Sequence, residues 1–577
     1  MFPMQYCSMR TLRLILITIV VGLGAVHAVC GQLSVSVYAT AGDVQTHLAS
    51  TEARANTLQT LMRLGVSRMF LEGRRGDEYV DPATLATVRD YLKSHGIDCC
   101  GGIATVPGNN FGVRQTGGLD WLDWESEKTR ADISGFFREN AQVFDEIIID
   151  DFFCTGDESA RADRARAGRS WSAYRRDLLV SLIDPLVRQP ARATRQDVRL
   201  IIKFPQWYDR FHVFGYDPAR MTEKFDRVWV GTEVRNPRTR RMGFVQPTQG
   251  YINFMWIRSI AGKKVHGAWF DHIECSAFNF IDQAYMSVLA GARELTLFRL
   301  GDVAEKHPGD ALLAERMPEL TALANSIQNA EPDGVFFYKP PNSDADDNLF
   351  LADYIGMIGL PIVPVAAYPD RSRVLFLAAH AASDPSIQSR VKDHLRRGAT
   401  LILTPSFLRK SGRWAQEIAG AVAMGQSGLG RLREPGATTN RAAVELDSSL
   451  TLTTARVLFE ADCNGIGVPL LTHKQVGAGQ VLVLNMRSFS DTDYRGTGEY
   501  LLPPSELGWT RVPQQLLDPL RAAMLRSLGI RLEAPPGVIM CVRGNTNFIY
   551  NANDAPAMIR LGSKRLTSEP HRISVLD

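Results

Sequence analysis

The stretch Glu146-Ile147-Ile148-Ile149-Asp150-Asp151-Phe152-Phe153 decides how this chain is read. The short apolar run reads as a buried parallel strand, and it ends in two adjacent carboxylates. Side chains alternate along a strand, so one acid should face a barrel mouth and the other its wall. Three isoleucines leave both acids poorly solvated, which raises the pKa of at least one and suits a general acid. A strand ending in acids is how a barrel enzyme presents catalytic groups.

Working outward, this run is the fourth of eight between Leu33 and Asp302. The others are Leu33–Thr40, Val66–Gly73, Ile97–Val106, Val198–Pro205, Arg227–Val234, Val265–Phe270 and Glu294–Leu300. Amphipathic stretches lie between them, such as Val44–Leu64, Pro82–His95 and Trp171–Val187, and Leu312–Gln328 closes the set. Eight alternations predict an α/β protein built on a (β/α)8 TIM barrel. A doubly wound open sheet fits less well, because Ala39-Thr-Ala-Gly-Asp43 after the first strand has one glycine and no phosphate fingerprint.

The turn-rich Glu331-Pro-Asp-Gly334 marks a boundary, and a second α/β pattern follows. Val335–Tyr338, Pro361–Val365, Arg373–Ala378, Thr400–Leu403 and the end of Val476–Leu484 read as strands. Asp346–Gly359, Ser386–Arg397 and Asp518–Leu528 read as helices. The tail from Arg531 is strand-rich, with Asn545, Asn547, Asn551 and Asn553 marking turns. The expected division is a signal peptide over 1–31, the barrel over 32–330, a second α/β domain over 333–530 and a β-rich segment over 531–577.

At 577 residues the chain exceeds one ordinary core. A net charge of +3 gives no argument for nucleic acid. Arg10 and Arg13 before the apolar run Leu14–Val26, with Ala28 and Gly31 after it, read as a cleaved export signal. The mature protein is therefore expected to be secreted or periplasmic, with no stable membrane span. Cys30 raises lipidation, but Val29 sits where a small residue is wanted. Cys99, Cys100, Cys154, Cys275, Cys463 and Cys541 form no disulfide framework and no paired zinc spacing, and read mostly as small buried hydrophobes.

Two resemblances follow from particular blocks. Arg373-Val-Leu-Phe-Leu-Ala-Ala379, and the strand ending in Leu403-Thr-Pro-Ser-Phe-Leu408 after Arg397-Gly-Ala399, resemble the flavodoxin/amidotransferase-like domain that follows the barrel in bacterial β-galactosidase-type enzymes. No Gly-x-Cys-x-Gly turn accompanies them, so this domain is expected to be structural or to assemble a homo-oligomer. In the barrel, Asp150-Asp-Phe-Phe153, Lys203-Phe-Pro-Gln-Trp-Tyr208, Gly231-Thr-Glu-Val-Arg235 and Ala268-Trp-Phe-Asp271 resemble the blocks of a group of exported bacterial and fungal proteins. The resemblance spans roughly Leu33 to Leu528 and speaks for architecture more than for reaction.

Candidate site residues come from the strand ends. Glu233 ends the sixth run and Asp271 the seventh. By position, β-galactosidase-type barrels imply Asp151 as acid/base and Asp271 as nucleophile, although their fourth-strand motif is Asn-Glu and this one is Asp-Asp. By position, α-galactosidase-type barrels imply Asp151 as nucleophile and Glu233 as acid/base. Asp150 is expected to act with Asp151, and Glu72 and Asp302 are weaker candidates. Trp121, Trp124, Trp207, Tyr208 and His212 follow the third and fifth strands, where flat rings would stack on sugar faces. Lys203 reads as a substrate ligand, a Schiff-base lysine or an ion-pair partner. Arg161, Arg164, Arg166, Arg169, Arg175 and Arg176 follow the fourth strand, and Arg235, Arg238, Arg240 and Arg241 the sixth. They suggest a rim attracting an anionic glycan, with solvated loop faces as the plainer explanation. The histidines are scattered, with His266 and His272 the nearest barrel pair, so neither a metal nor another cofactor is expected. The expectation is an exported glycoside hydrolase using mouth carboxylates; the alternative is a non-catalytic carbohydrate-binding or scaffold barrel.

Overall fold

A computed structural model describes residues 33–117, 119–150, 152–328, 330–432, 442–447, 449–497 and 500–576. The expected signal segment, Cys30 and Asp151 lie outside the described residues. Eight parallel strands form the first sheet: β1 (Ser34–Ala39), β2 (Val66–Arg75), β3 (Asp98–Ala104), β4 (Glu146–Ile149), β5 (Arg199–Phe204), β6 (Arg227–Gly231), β7 (Val265–Asp271) and β8 (Glu294–Phe298). Each pairs with its neighbour in chain order, and β8 returns to pair with β1, so the barrel closes. All eight expected runs became these strands.

The barrel interior is filled by one side chain from each strand. These are Tyr38, Phe70, Cys100, Ile148, Ile201, Trp229, Trp269 and Phe298. Alternation sends Ile147 and Ile149 the other way, into the layer shared with the surrounding helices. The deciding stretch is thus buried on both faces. At its lower end Glu146 gathers cations: Arg68 at 3.2 Å, Arg199 at 3.3 Å and Arg227 at 3.2 Å. That end carries stability, whereas chemistry belongs at the opposite end of the strands.

The helices follow the expected amphipathic stretches with physical edits at their ends. Val44–Leu64 is broken at Ala49–Ser50, because the Ser50 hydroxyl accepts from Ala53 N at 3.1 Å and starts a new helix, Thr51–Arg63. Pro308 opens the helix expected from Leu312, with His307 capping it.

The second sheet holds β9 (Val335–Tyr338), β10 (Ile362–Val365), β11 (Val374–Leu377), β12 (Thr400–Leu403), β13 (Ser427–Leu432), β14 (Ala442–Asp447), β15 (Arg456–Cys463), β16 (Ile466–Val476) and β17 (Gly479–Leu484). Their spatial order is β10-β9-β11-β12-β17-β16-β15-β13-β14. The first five are parallel and the rest antiparallel, so the sheet is mixed. The tail forms two small antiparallel sheets. Here Asn547 and Asn551 sit within the strand Thr546–Asn551 rather than at turns. The Asn551 amide is buried and donates to Ala555 O and Ser568 O, which satisfies it inside the sheet. None of the six cysteines among the described residues is in a disulfide. Among the described residues no helix is long and apolar enough to cross a membrane.

Candidate active site at the barrel mouth

Strand parity selects the mouth layer. Glu72, Asp150, Lys203 and Asp271 each lie two residues beyond an interior side chain, and Glu233 lies four beyond Trp229. All five are buried. The structure brings four of them into one connected cluster. Lys203 Nζ donates to Glu233 Oε1 at 2.6 Å and lies 3.7 Å from Asp150 Oδ1. Arg75 reaches Asp150 Oδ2 at 2.9 Å and Glu72 Oε1 at 2.8 Å. Tyr38 donates its hydroxyl to Glu72 Oε1 at 2.7 Å, and Ala41 N donates to Glu72 Oε2 at 2.8 Å.

Two oxygens in this layer are buried without a hydrogen-bond partner: Asp150 Oδ1 and Glu233 Oε2. Unsatisfied buried carboxylate oxygens are costly, and at a barrel mouth they make these two acids candidates for chemistry. Burial raises the Glu233 pKa, against the lowering influence of Lys203 and Arg235. Burial likewise lifts Glu72 to about 6, with Arg75 opposing and Asp150 adding to the rise. The Glu233 carboxylate is folded back over its own strand. A Cβ on Gly231 would stand 2.3 Å from Glu233 Oε2, so only glycine leaves room for it.

Asp271 is placed differently. Arg235 Nε reaches its two oxygens at 2.9 and 3.0 Å, a second guanidinium nitrogen adds a contact, and Ile273 N donates at 3.1 Å. Both oxygens are occupied, so Asp271 acts as the anchor of Arg235. Asp302 lies outside the cluster, on a short helix 3.6 Å from Arg299.

Beside the cluster opens a cavity of about 610 Å3, lined by Arg75, Pro107, Arg114, Asp120, Trp121 and Phe152 among others. Its size falls within the roughly 300–1,000 Å3 of small-ligand sites. Phe152 has φ +76°, a strained value for a bulky residue, held where its ring meets Trp121 at 6.3 Å and Trp207 at 6.4 Å.

The aromatic expectations divide. Trp121 lines the cavity and stacks on Trp207 at 6.0 Å. Trp207 itself is buried behind it, and Trp124 is buried with its indole donating to Cys154 O at 2.8 Å. Tyr208 and His212 do not face the mouth. Tyr208 donates to Asp353 at 2.9 Å and His212 contacts Asp344 at 2.7 Å, both in the second domain. Between them Asp209 takes His380 at 2.8 Å, Lys339 at 3.5 Å and Phe350 N at 2.7 Å. The loop after β5 is thus a docking element.

Most arginines of the expected rim are ion-paired. Arg161 pairs with Asp123, Arg166 with Asp163, Arg169 with Asp177, Arg175 with Glu158 and Arg176 with Asp217. Arg235 pairs with Asp271, Arg238 with Asp554 and Arg241 with Glu274. Only Arg164 and Arg240 of that set lack a carboxylate among the described residues. Arg75 and Tyr38 were missed from sequence, although Glu72-Gly-Arg-Arg75 sets an acid and a guanidinium at one strand end. Among the described residues no group of three His, Cys, Asp or Glu is arranged to hold a metal ion.

Comparison with known proteins agrees with the barrel fold. Gan42B, a GH42 β-galactosidase from G. stearothermophilus, superposes with a TM-score of 0.63 at 11% identity, covering 94% of this chain and 98% of that one. α-L-Fucosidase isoenzyme 2 from Paenibacillus thiaminolyticus gives 0.62 at 10% identity, over 94% and 92%. These identities speak for fold alone. Uncharacterized protein SSO3021 of Saccharolobus solfataricus is 24% identical over 419 residues, 65% of this chain and 66% of that protein. The match spans just under two thirds of that relative's length. Residues 331–431 match the model for the second domain of the same uncharacterized protein. Residues 25–313, half of the chain, match the family model of a probable glycosyl hydrolase catalytic domain, and the chain belongs to that family.

Proposed function

We propose that the chain cleaves a glycosidic bond at the barrel mouth, with Glu233 as general acid/base and Asp150 as nucleophile. The observation that carries this is the pair of unbonded buried oxygens, Asp150 Oδ1 and Glu233 Oε2, on the two sides of Lys203. Asp150 Oδ1 and Glu233 Oε1 lie 3.7 and 2.6 Å from one ammonium, so these two oxygens are at most about 6.3 Å apart, between the about 5–5.5 Å of retaining and the roughly 6.5–9.5 Å of inverting carboxyl pairs. The course proposed is the retaining one, with Asp150 as the covalent partner. Glu233 gives its proton to the glycosidic oxygen while Asp150 Oδ1 attacks the anomeric carbon. The leaving group departs as an alcohol and a glycosyl ester remains on Asp150. Glu233, now a carboxylate, takes a proton from water, and that water displaces Asp150. The raised pKa of Glu233 suits the proton-donating step. Asp151 remains the alternative nucleophile, and Asp271 positions Arg235.

The substrate class in this reading is a neutral glycan. The mouth cavity sets Arg75 and Arg114 against Asp77, Glu78 and Asp120, and the arginines of the loops after β4 and β6 are mostly paired. Export belongs to the proposal through Arg10, Arg13 and the apolar run after them. So does an amidotransferase-like second domain, because its parallel strands run 2-1-3-4-5. Cys463 lies on an antiparallel strand of that domain and cannot serve as a nucleophile on a strand-to-helix turn.

The test is a screen of the purified protein against 4-nitrophenyl α- and β-glycosides and oligosaccharides, with Asp150→Asn, Asp151→Asn and Glu233→Gln in parallel. Hydrolysis abolished by Glu233→Gln and by one aspartate variant supports the proposal. Sugar binding that never yields product would favour the non-catalytic reading.

A further inference from the structure

The second domain reaches over the barrel mouth. Its residues Tyr500–Pro503 lie between β17 and the helix Gln514–Leu525, outside both stretches matched by family models. Leu501 lines the mouth cavity together with Trp121 and Phe152, which follow β3 and β4. Arg210 Nε, after β5, donates to Tyr500 O at 3.2 Å. Phe244 N, after β6, donates to Pro503 O at 3.0 Å. Beside it, a Cβ on Gly243 would stand 2.6 Å from Leu502 Cβ, so the chains are packed backbone against side chain. Four residues of one segment therefore touch or face the loops of four consecutive barrel strands.

We infer that Leu501 is a specificity-determining residue that forms the closed end of the glycan cleft. The inference rests on the hydrolase reading above and adds the substrate's form to it. A segment fixed across the β3 to β6 sector leaves a glycan no path across that side of the rim. A chain must then enter from the opposite side and stop against Leu501, so the sugar at its end is the one cleaved. An isobutyl side chain suits an end wall. It offers no hydrogen bond to a further sugar hydroxyl and loses nothing when it packs on the C–H face of a terminal ring.

The experiment compares the native chain with Leu501→Ala and Leu501→Trp on 4-nitrophenyl glycosides and on polysaccharides built from the same sugars. The native chain should release reducing sugar from a polysaccharide while its viscosity stays constant. Leu501→Ala should raise KM on the 4-nitrophenyl glycoside about tenfold, the scale of lost apolar pocket contacts, and should raise the share of interior cleavage. Sugar binding should change the emission of Leu501→Trp beyond the change seen in the native chain, whose Trp121 lines the same cavity. Early loss of viscosity with the native chain overturns the inference, and so does a KM and product pattern indifferent to Leu501, while either result leaves the hydrolase reading standing. An emission change without hydrolysis does the reverse: it keeps Leu501 at the sugar and removes the hydrolase reading. No emission change with a sugar that is hydrolysed places the substrate elsewhere and refutes the inference.

Discussion

Lys203 Nζ sits 2.6 Å from Glu233 Oε1, so a single buried ammonium holds the carboxylate that carries the proposed acid step. The same ammonium lies 4.8 Å from the centre of the Trp269 ring, and Trp269 stacks on Phe298 at 5.6 Å. The lysine is held by the barrel interior beneath it. Lys203→Met should cost about 3–5 kcal/mol at neutral pH, the usual effect of stranding one member of a buried pair. Glu233 can escape by taking up a proton, so the loss should shrink as pH falls. Urea denaturation at pH 5 and pH 8 checks this; an equal loss at both would show that Glu233 does not depend on Lys203.

Gly231→Ala tests the folded-back carboxylate. The added methyl would press on Glu233 Oε2 at 2.3 Å and on Gln206 N at 3.1 Å. The carboxylate, at the end of a side chain, yields before the backbone does. A misplaced acid costs on the order of 100-fold in kcat. Thermal unfolding together with kinetics should show a large kinetic loss with a small change in Tm.

Glu72 should leave a mark on stability. Its folded pKa of about 6 stands above the ordinary glutamate value of 4.5, burial being the main cause. Below the lower value the group is protonated in both states. As pH rises through the window from about 4.5 to about 6, the unfolded chain ionises first, so the native state loses on the order of 2 kcal/mol relative to it. The difference in unfolding free energy between the native chain and Glu72→Gln, measured from pH 4 to pH 8, should vary across that window and flatten above it. A flat difference throughout would contradict the raised pKa.

Strand parity made much of this site legible. The residue two beyond Ile148 is Asp150, and the same count from Phe70, Ile201 and Trp269 gives Glu72, Lys203 and Asp271. Counting from the centre of the isoleucine run therefore names Asp150 as the inward acid, where position in related barrels pointed to Asp151. The docking roles of Tyr208 and His212 were not legible. Their partners, Asp353 and Asp344, are more than a hundred residues away, and no local pattern announces a contact of that separation. Asp163 and Asp177 were legible as partners for nearby arginines and pair with Arg166 and Arg169, whereas Arg238 meeting Asp554 across the fold had no local signal. Leu501 carried no signal at all in a turn-rich segment of a different domain.

Asp271 and Asp150 should part company under chemical rescue. Both oxygens of Asp271 are held by Arg235, whereas Asp150 keeps Oδ1 unbonded. Asp150→Ala supplied with azide should form a glycosyl azide. Asp271→Ala should form none, because the azide would occupy a guanidinium pocket away from the anomeric carbon. A glycosyl azide from Asp271→Ala alone would transfer the nucleophile's role to β7.

The most direct test of the account is the dependence of Glu233→Gln on leaving group. A general acid matters for a poor leaving group and little for one that departs unaided. With the glycoside found in the screen, Glu233→Gln should lose about 10²–10⁴-fold on an alkyl glycoside. It should retain most of the bond-cleavage rate on the corresponding 2,4-dinitrophenyl glycoside, with Tm unchanged. Near-native turnover of the alkyl glycoside, or equal losses on both substrates by a folded variant, would contradict the assignment of Glu233 as the acid.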